Sequence, residues 1–316
     1  MPIKIPKKKS KPPAQLFIDR VVVTLELGAA AFAEDMHSKM LDALQKYSVF
    51  YGSKKTPTKV ERQIALSSIE QVKHYPHMIY RFGGDKAQSL RLTLHPKDMG
   101  KQGFVELHDV LSDVLPGGWR YFIENAKITL IEISIDLHGV DFNNVNILPA
   151  GKQIYSAFQS GNKLTETIYL GKSRNNQIKV YNRGLKRAKL GQFQIAGTCT
   201  RVERTRKYTQ LKLANLSSVQ NPFNNLHFSS LPTAPPATEV KPYVWSLFLD
   251  SAAHRGLDPA LKLLPPKKRT QYRAYLKKYE EPWWQPDTIW GKWPTVLAEL
   301  GIIDVTQYKA HTAFLH

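Results

Sequence analysis

The first two thirds of the chain mix extended and helical patterns of apolar residues. Apolar residues alternate from Leu16 to Leu27, whereas Ala30 to Tyr47 repeats them at helical spacing. The same patterns predict a helix at 105–115 and strands at 78–82, 90–94, 128–137, 167–170, 177–182 and 198–205. Strands separated by helices and hairpins predict an α+β fold, with an antiparallel-rich central sheet and helices on one face.

The pattern changes after residue 215. Residues 216–242 are rich in proline, asparagine and serine, which favour turns over helix interiors and strand ladders, so a linker is predicted there. Beyond it, helices are predicted at 243–254, after Pro265-Pro266, and near 295–301. The predicted organisation is a flexible basic arm (1–15), a large α+β domain (16–215), the linker and a small helical DNA-binding or accessory domain (243–316).

The charge is strongly positive and unevenly distributed. The chain has 45 lysines and arginines against 26 acidic residues, a formal net charge of +19. The segment 151–210 alone holds thirteen lysines and arginines and two glutamates. A solvated face would normally mix signs, so this surplus favours a polyanionic partner: nucleic acid first, an acidic membrane surface second.

Cysteine content and hydropathy exclude several protein classes. The single cysteine, Cys199, excludes an intramolecular disulfide framework and a cysteine-based zinc site, and it fits a reducing cytoplasm. Charges at Asp19 and Arg20 interrupt any apolar core of a signal peptide, and nothing approaches the roughly 18 apolar residues of a membrane span. We therefore expect a cytoplasmic protein with no membrane partner.

Two carboxylates fall on one face of the predicted strand at 128–137. Side chains alternate along a strand, so Glu132, Ser134 and Asp136 share a face, opposite a row of isoleucines. Two carboxylates on a central strand are costly unless something positive meets them. A divalent cation and a nearby arginine or lysine are equally good answers.

A second segment reads as a hairpin with cations around a tyrosine. Its first strand ends at Gly171, and its return strand carries Lys179, Tyr181 and Arg183 on one face. Cations beside a tyrosine lower the cost of forming a phenolate and attract a phosphate. The alternative is an ordinary cross-strand tyrosine beside solvated cations.

A third segment places Arg201 and Glu203 on one strand face. Glu203 either supplies a third carboxylate or pairs with Arg201. The predicted DNA-contacting residues are the cations of these segments and of the basic helix that follows Pro266: Lys172, Arg174, Lys186, Arg187, Arg201, Arg206, Lys267, Lys268 and Arg269.

Together the three segments resemble the replication initiation factor family, the Rep_trans-type rolling-circle initiators of plasmids and some phages, with certain transfer relaxases. The family strand Thr-Arg-Ile-Asp-x-Ala-x-Asp resembles Thr129–Asp136, its Thr-x-Tyr-x-Gly resembles Thr167–Gly171, and its Arg-x-Tyr-Asn/Asp-Lys resembles Lys179–Arg183. An Arg-x-Glu strand follows at Arg201–Glu203. The likeness covers about 91–206. Leu130, Glu132 and Arg183 replace the family's arginine, aspartate and lysine.

This resemblance implies a relaxase-like nucleotidyl-transferase fold at 16–215 and the nicking of one strand at a replication origin. Tyr181 would be the nucleophile, with Lys179 and Arg183 beside it, forming a 5′-phosphotyrosyl intermediate and freeing a 3′-hydroxyl. Mg²⁺ or Mn²⁺, held by Glu132, Asp136 and Glu203, would assist. Implied partners are origin DNA as a hairpin or single strand, a host helicase and polymerase, and a second copy of the chain.

Two alternatives stay open at this stage. Tyr169 is a rival nucleophile, because it lies across the predicted hairpin from Tyr181. A sequence-specific DNA-binding protein without catalytic activity, such as a repressor or an accessory replication factor, would carry the same basic segments. An RNA-binding protein fits less well, since no strand pair shows clustered aromatics.

Overall fold

A computed structural model describes most of the chain between residues 14 and 303. The described residues are 14–27, 38, 42, 46–49, 55–56, 59–71, 74–82, 88–115, 117–149, 155–159, 165–172, 176–189, 191, 197–208, 210–236 and 240–303. Most of the predicted basic arm, most of the predicted helix at 30–47, and Arg174 lie outside them.

The described elements mix strands and helices along the chain. The strands are β1 (Ala14–Glu26), β2 (Ser48–Val49), β3 (Lys55–Thr56), β4 (Lys59–Ile64), β5 (His77–Arg81), β6 (Ser89–Leu94), β7 (Lys127–His138), β8 (Ile147–Pro149), β9 (Tyr155–Gln159), β10 (Thr165–Leu170), β11 (Asn176–Asn182), β12 (Cys199–Lys207) and β13 (Leu226–Phe228). The helices are α1 (Pro96–Val114), α2 (Gly118–Asn125), α3 (Arg183–Lys189), α4 (Pro242–Arg255), α5 (Leu257–Lys262), α6 (Pro266–Lys277), α7 (Pro286–Trp290) and α8 (Trp293–Leu300), with 3₁₀ helices at Phe142–Asn144 and Leu213–Ser218.

The chain divides into two compact units. Unit A comprises Met1–Gln15, Ile135–Arg204 and Asn221–Trp290, and unit B comprises Leu16–Ser134, Thr205–Gln220 and Gly291–His316. Strands β7 and β12 each contribute residues to both units.

Unit B contains an antiparallel sheet with helices α1, α2 and α8. Its strands are hydrogen-bonded in the order β2-β4-β5-β6-β1-β7, and β3 pairs with β4. The pairs β1–β6, β4–β5 and β5–β6 are antiparallel. The core includes Phe104 on α1 and Trp119 on α2, whose rings lie 6.4 Å apart. Trp293 on α8 is buried and donates to the Leu216 carbonyl at 3.3 Å.

Unit A combines a sheet with a bundle of short helices. Its strands run in the order β7-β12-β11-β10-β9, and β8 pairs with β13 in a separate ribbon. Helices α4, α5 and α6 enclose an apolar cluster around Trp245 and Tyr272. The buried Trp245 indole donates to the Pro232 carbonyl at 2.8 Å, so this tryptophan is a core residue.

The predicted α+β class with a largely antiparallel sheet is confirmed. Strands predicted from alternation are present as β1, β5, β6, β7, β10, β11 and β12, with bounds shifted by a few residues. None of the described helices is long and apolar enough to cross a membrane.

The predicted domain boundaries differ from the units of the structure. Residues 216–242 were expected to form a linker, yet β13 lies within them and Phe223, Leu226 and Phe228 are buried. These buried apolar residues alternate along the chain with the turn-forming prolines and asparagines. The C-terminal helices are shared, since α4 to α7 lie in unit A and α8 in unit B.

The turn after β10 requires glycine at residue 171. Gly171 has φ +88°, and a Cβ atom there would come far inside contact distance of the Asn176 carbonyl oxygen. Gly191 has φ +65° with open space around the position of a Cβ atom. We expect Gly191→Ala to cost about 1–2 kcal/mol for its left-handed backbone. Gly171→Ala should cost more, because the β11 backbone must also move.

Thermal unfolding and amide hydrogen exchange in β10 and β11 measure the difference. Gly171→Ala should lower the melting temperature further and raise exchange in the hairpin. Equal losses in the two variants would contradict this account of the turn.

Candidate active site beside Tyr181

Strands β10 and β11 place two tyrosines on one face of a hairpin. Thr167 lies opposite Tyr181, and Tyr169 lies opposite Lys179. Residues paired across antiparallel strands share a face, so all four side chains project to the same side. The sequence predicted this hairpin and the shared face of Lys179 and Tyr181.

Strand β11 ends at Asn182, as the predicted strand at 177–182 does, so Arg183 does not continue its tyrosine-bearing face. The Asn182 side chain accepts a hydrogen bond from the Leu185 backbone N–H at 3.0 Å, and α3 begins at Arg183. This cap satisfies an N–H of the first helical turn. Arg183 was expected on the strand face of Tyr181, but it starts a helix. The helix brings Lys186 to the tyrosine instead.

The Tyr181 hydroxyl lies between a carboxylate and an ammonium group. It donates to Glu203 Oε2 at 3.3 Å and accepts from Lys186 Nζ at 3.4 Å. The Lys186 ammonium also lies 4.4 Å from the centre of the tyrosine ring. Lys179 donates to the other oxygen of Glu203. Glu203 therefore pairs with Lys179. The sequence alternative in which it pairs with Arg201 is not what the structure has.

The electrostatic surroundings destabilise the charged form of Lys186. Partial burial of its ammonium group lowers the Lys186 pKa most, although much of the residue is exposed. The Glu203 carboxylate opposes this shift, whereas the charges of Lys179, Arg201 and Arg183 lower the pKa further. A lysine that gives up its proton more readily than usual therefore touches the tyrosine hydroxyl.

The tyrosine opens onto a pocket of about 300 Å³, which we call the Tyr181 pocket. Its lining consists of β10, β11 and α3 side chains: Glu166, Thr167, Tyr169, Lys179, Tyr181, Asn182, Leu185, Lys186 and Lys189. Lys189 donates to both oxygens of Glu166, at 2.6 and 2.7 Å. Tyr181 itself is 3% exposed, so a reactant must enter this pocket to meet its hydroxyl.

Asp136 is held by a buried arginine. Arg201 Nε donates to Oδ1 at 2.6 Å and its terminal nitrogen to Oδ2 at 2.8 Å. Arg183 Nε lies 3.6 Å from Oδ2. Arg201 is only 2% exposed, so the prediction that it contacts DNA is corrected: its guanidinium neutralises Asp136. Arg183, expected beside the nucleophile, has Asp136 as its ion-pair partner.

Glu132 has a cationic partner of its own in unit B. It accepts from an Arg20 terminal nitrogen at 2.7 Å and from the Thr205 hydroxyl at 3.1 Å. Ser134, on the same strand, donates to Asp19 at 3.2 Å. Both carboxylates of this strand, Glu132 and Asp136, therefore pair with arginines, which was one of the two alternatives from the sequence.

The predicted ligands do not fit a Mg²⁺ or Mn²⁺ site. Such ions need several free oxygen ligands around one point. Glu132, Asp136 and Glu203 each accept from a different basic residue, namely Arg20, Arg201 and Lys179. The carboxylates are therefore already neutralised by the chain itself.

A different set of potential ligands occurs at the end of β7. Ligand atoms of Asp136, His138 and Cys199 all lie within 4.8 Å of one another. An oxygen, nitrogen and sulfur set suits Zn²⁺ better than Mg²⁺, although the single cysteine was expected to exclude a cysteine-based zinc site. The guanidiniums of Arg201 and Arg183 at Asp136 oppose a further cation there. Sequence spacing gave no signal for this cluster, because β7 and β12 are distant in the chain.

The cations predicted to contact DNA have different surroundings. Lys172 is exposed beside Gly171, Lys186 faces Tyr181, and Arg187 is half-buried. In unit B the Arg206 guanidinium lies 5.2 Å from the Tyr208 ring centre.

Of the three predicted cations on α6, two are exposed. Lys267 and Lys268 project into solvent. Arg269 donates to the carbonyls of Leu261, Lys262 and Leu264 at 3.1–3.2 Å. Its role in DNA contact stays a prediction; in the structure its guanidinium stabilises the preceding turn.

The comparisons with known proteins assign no family. No protein-family model matches the chain, and no curated protein matches it. A solved structure with slight likeness is the di-domain ARO/CYC BexL from the BE-7585A biosynthetic pathway, at 8% identity and a TM-score of 0.14, covering 84% of this chain and 99% of that one. A likeness this slight supports no conclusion.

Replacing Asp136 tests the role of its ion pair. We expect Asp136→Asn to lower the free energy of unfolding by about 3–5 kcal/mol, because it leaves the buried Arg201 guanidinium uncompensated. Urea unfolding followed by tryptophan fluorescence measures the loss. Glu124→Gln is the matched control, since Glu124 accepts from Arg120 at 3.0 Å in an exposed pair. It should change stability by about 0.5 kcal/mol or less. A similarly small effect of Asp136→Asn would refute the assigned role.

Proposed function

We propose that this protein is a rolling-circle replication initiator that nicks one DNA strand with Tyr181. One observation carries the proposal: the Tyr181 hydroxyl is hydrogen-bonded to the Glu203 carboxylate and the Lys186 ammonium in an open, lysine-lined pocket. A tyrosine with an ordinary pKa near 10 is a weak nucleophile at neutral pH. It needs an acceptor for its proton and a positive charge beside the phenolate.

The geometry supplies both requirements. Glu203 takes the phenol proton, and Lys186 stabilises the negative charge that develops on the tyrosine oxygen. That oxygen attacks the phosphorus and the bond from phosphorus to the 3′ oxygen breaks. The 3′ oxygen takes a proton from water and becomes a free hydroxyl. The strand stays joined to Tyr181 as a 5′-phosphotyrosyl ester, which the freed hydroxyl can attack to reseal the strand.

The pocket favours an unpaired strand over a duplex as the substrate. A volume of about 300 Å³ and a nearly buried hydroxyl require the scissile phosphate to enter between β10 and α3. A single strand or a hairpin loop can bend into such a pocket, whereas a stacked duplex cannot. Origin DNA as a hairpin or single strand is therefore the proposed substrate.

In this scheme, lysines neutralise the negative charge of the scissile phosphate. A divalent ion is implied by the family resemblance, but the carboxylates do not fit its site, so no step is assigned to one. Lys179 and Lys186 line the pocket with their ammonium groups near the tyrosine. The host helicase, the polymerase and a second copy of the chain remain implications of the resemblance.

Substituting the tyrosine tests the proposal directly. The substrate is a supercoiled plasmid that carries the DNA flanking the protein's own gene, and the readout is protein-linked DNA on a denaturing gel. Tyr181→Phe should abolish the linked product, because the nucleophilic oxygen is removed, and should leave filter-binding affinity for the DNA unchanged.

Tyr169→Phe is the matched control, since Tyr169 lines the same pocket. It should retain the linked product. Loss with Tyr169→Phe and retention with Tyr181→Phe would reverse the assignment.

The burial of Tyr181 favours the alternative of a DNA-binding protein without catalysis. Binding without linked product in the unmodified protein would establish that alternative.

The pH dependence tests the role of Lys186. Lys186 has a lowered pKa, so its stabilising charge is present at low pH and is lost at a lower pH than for an ordinary lysine. Formation of linked product should therefore fall at alkaline pH. Lys186→Arg should move this fall to higher pH, because arginine stays protonated. Lys186→Met should lower the rate by about a hundredfold to a thousandfold at pH 7, because it removes the charge that stabilises the phenolate. An unchanged profile in Lys186→Arg would contradict this role.

A further inference from the structure

Helices α4, α5 and α6 form a three-helix arrangement around one apolar cluster. Trp245 of α4, Leu261 of α5 and Tyr272 of α6 are among its buried members. Helices α5 and α6 are joined by residues 263–265, a turn of three residues. Two helices joined by a three- to four-residue turn on a supporting helix are the form of a helix-turn-helix motif.

One face of α6 is exposed directly opposite its buried face. At 100° per residue, the buried Tyr272 and Leu276 mark one side of the helix. The opposite side carries Lys267, Gln271 and Ala274, and is continued by Lys278 just after the helix ends. The first, third and fourth of these residues are exposed and Gln271 is half-buried. This stripe is about 16 Å long at 1.5 Å per residue.

The chemistry of the stripe matches duplex DNA. Residues 259–279 contain seven lysines and arginines and no acidic residue. An α-helix fits the major groove, where lysine and glutamine side chains reach base edges. Ala274 lets the helix backbone come close, and Lys277 and Lys278 end the helix with exposed cations suited to phosphates.

The other cations of this segment hold the motif together. Buried Asp258 accepts a hydrogen bond from Arg273 at 2.7 Å, so charge links α5 to α6, and the Lys262 ammonium forms an ion pair with the same carboxylate at 2.7 Å. Arg269 fastens the carbonyls at the end of α5 and in the turn. A rigid turn presents α6 in a fixed orientation, which reading a base sequence requires.

We propose that α5 and α6 are a helix-turn-helix that binds duplex DNA, with α6 in the major groove. The side chains of Lys267 and Gln271 contact base edges, and Lys277 and Lys278 contact phosphates. This inference takes from the proposed function only the class of partner, DNA. It adds a second site, which reads duplex sequence apart from the Tyr181 pocket.

The experiment uses the full chain and a library of randomised 20-base-pair duplexes. Rounds of binding select an enriched duplex, which is then compared with a scrambled one by fluorescence anisotropy. The double substitution Lys267→Ala, Gln271→Ala should weaken binding to the enriched duplex by about tenfold to a hundredfold. Binding to the scrambled duplex should change far less.

A second variant separates phosphate contact from base contact. Lys278→Ala should weaken binding to both duplexes alike and reduce the slope of log affinity against log salt by about one. Arg120→Ala on α2, an exposed arginine of unit B, is the control and should change neither affinity. Circular dichroism should be the same for all variants, since every replaced side chain lies outside the core.

Two results would overturn the inference. They are the absence of any enriched sequence and full affinity of the double variant for the enriched duplex. The linked-product assay reports on Tyr181 separately. If the unmodified protein forms no linked product but its affinity for the duplex still depends on α6, the nicking proposal fails and the duplex site stands.

Discussion

The buried ion pair between Asp136 and Arg201 determines how the charged residues of unit A are arranged. Both carboxylate oxygens accept from the guanidinium, and both residues are almost fully buried. A bidentate pair of this kind is specific in geometry, because a planar fork meets a planar carboxylate. With Arg201 committed to Asp136, Glu203 is left to Lys179 and to the Tyr181 hydroxyl.

This arrangement decides which charges are available for chemistry. Asp136 and Glu132 serve arginines in the two units, so neither is free as a ligand. Lys186, in contrast, comes from a short helix and donates a hydrogen bond to the tyrosine hydroxyl. Under the proposed function, lysines then stabilise the negative charge that develops on the tyrosine oxygen. A lysine with a lowered pKa responds to pH, whereas an arginine in the same place would not.

Sequence patterns predicted the strands that carry these residues far better than the partners of each residue. Alternation placed Glu132 and Asp136 on one face of β7, and Lys179 with Tyr181 on one face of β11. Alternation fixes the face of a strand but not which residue from a distant strand lies opposite, so Arg20 and Arg201 could not be chosen. Helix α3 was missed, although Asn182 before a run without β-branched residues is a recognisable start signal. Residues 216–242 were misread because their buried apolar residues stand among prolines.

Among the described residues, the cations behind the net charge of +19 include three kinds. Some stabilise the fold. Arg201 forms an ion pair with Asp136, Arg273 forms one with Asp258, and Arg269 donates hydrogen bonds to backbone carbonyls. Lys179 and Lys186 line the Tyr181 pocket, which under the proposed function takes a bent single strand. The lysines of α6 lie on an open helix face that suits a duplex. Under the proposed function the protein must hold DNA both as a duplex and as a single strand, and two basic sites of different shape would meet that requirement where a uniformly charged surface would not.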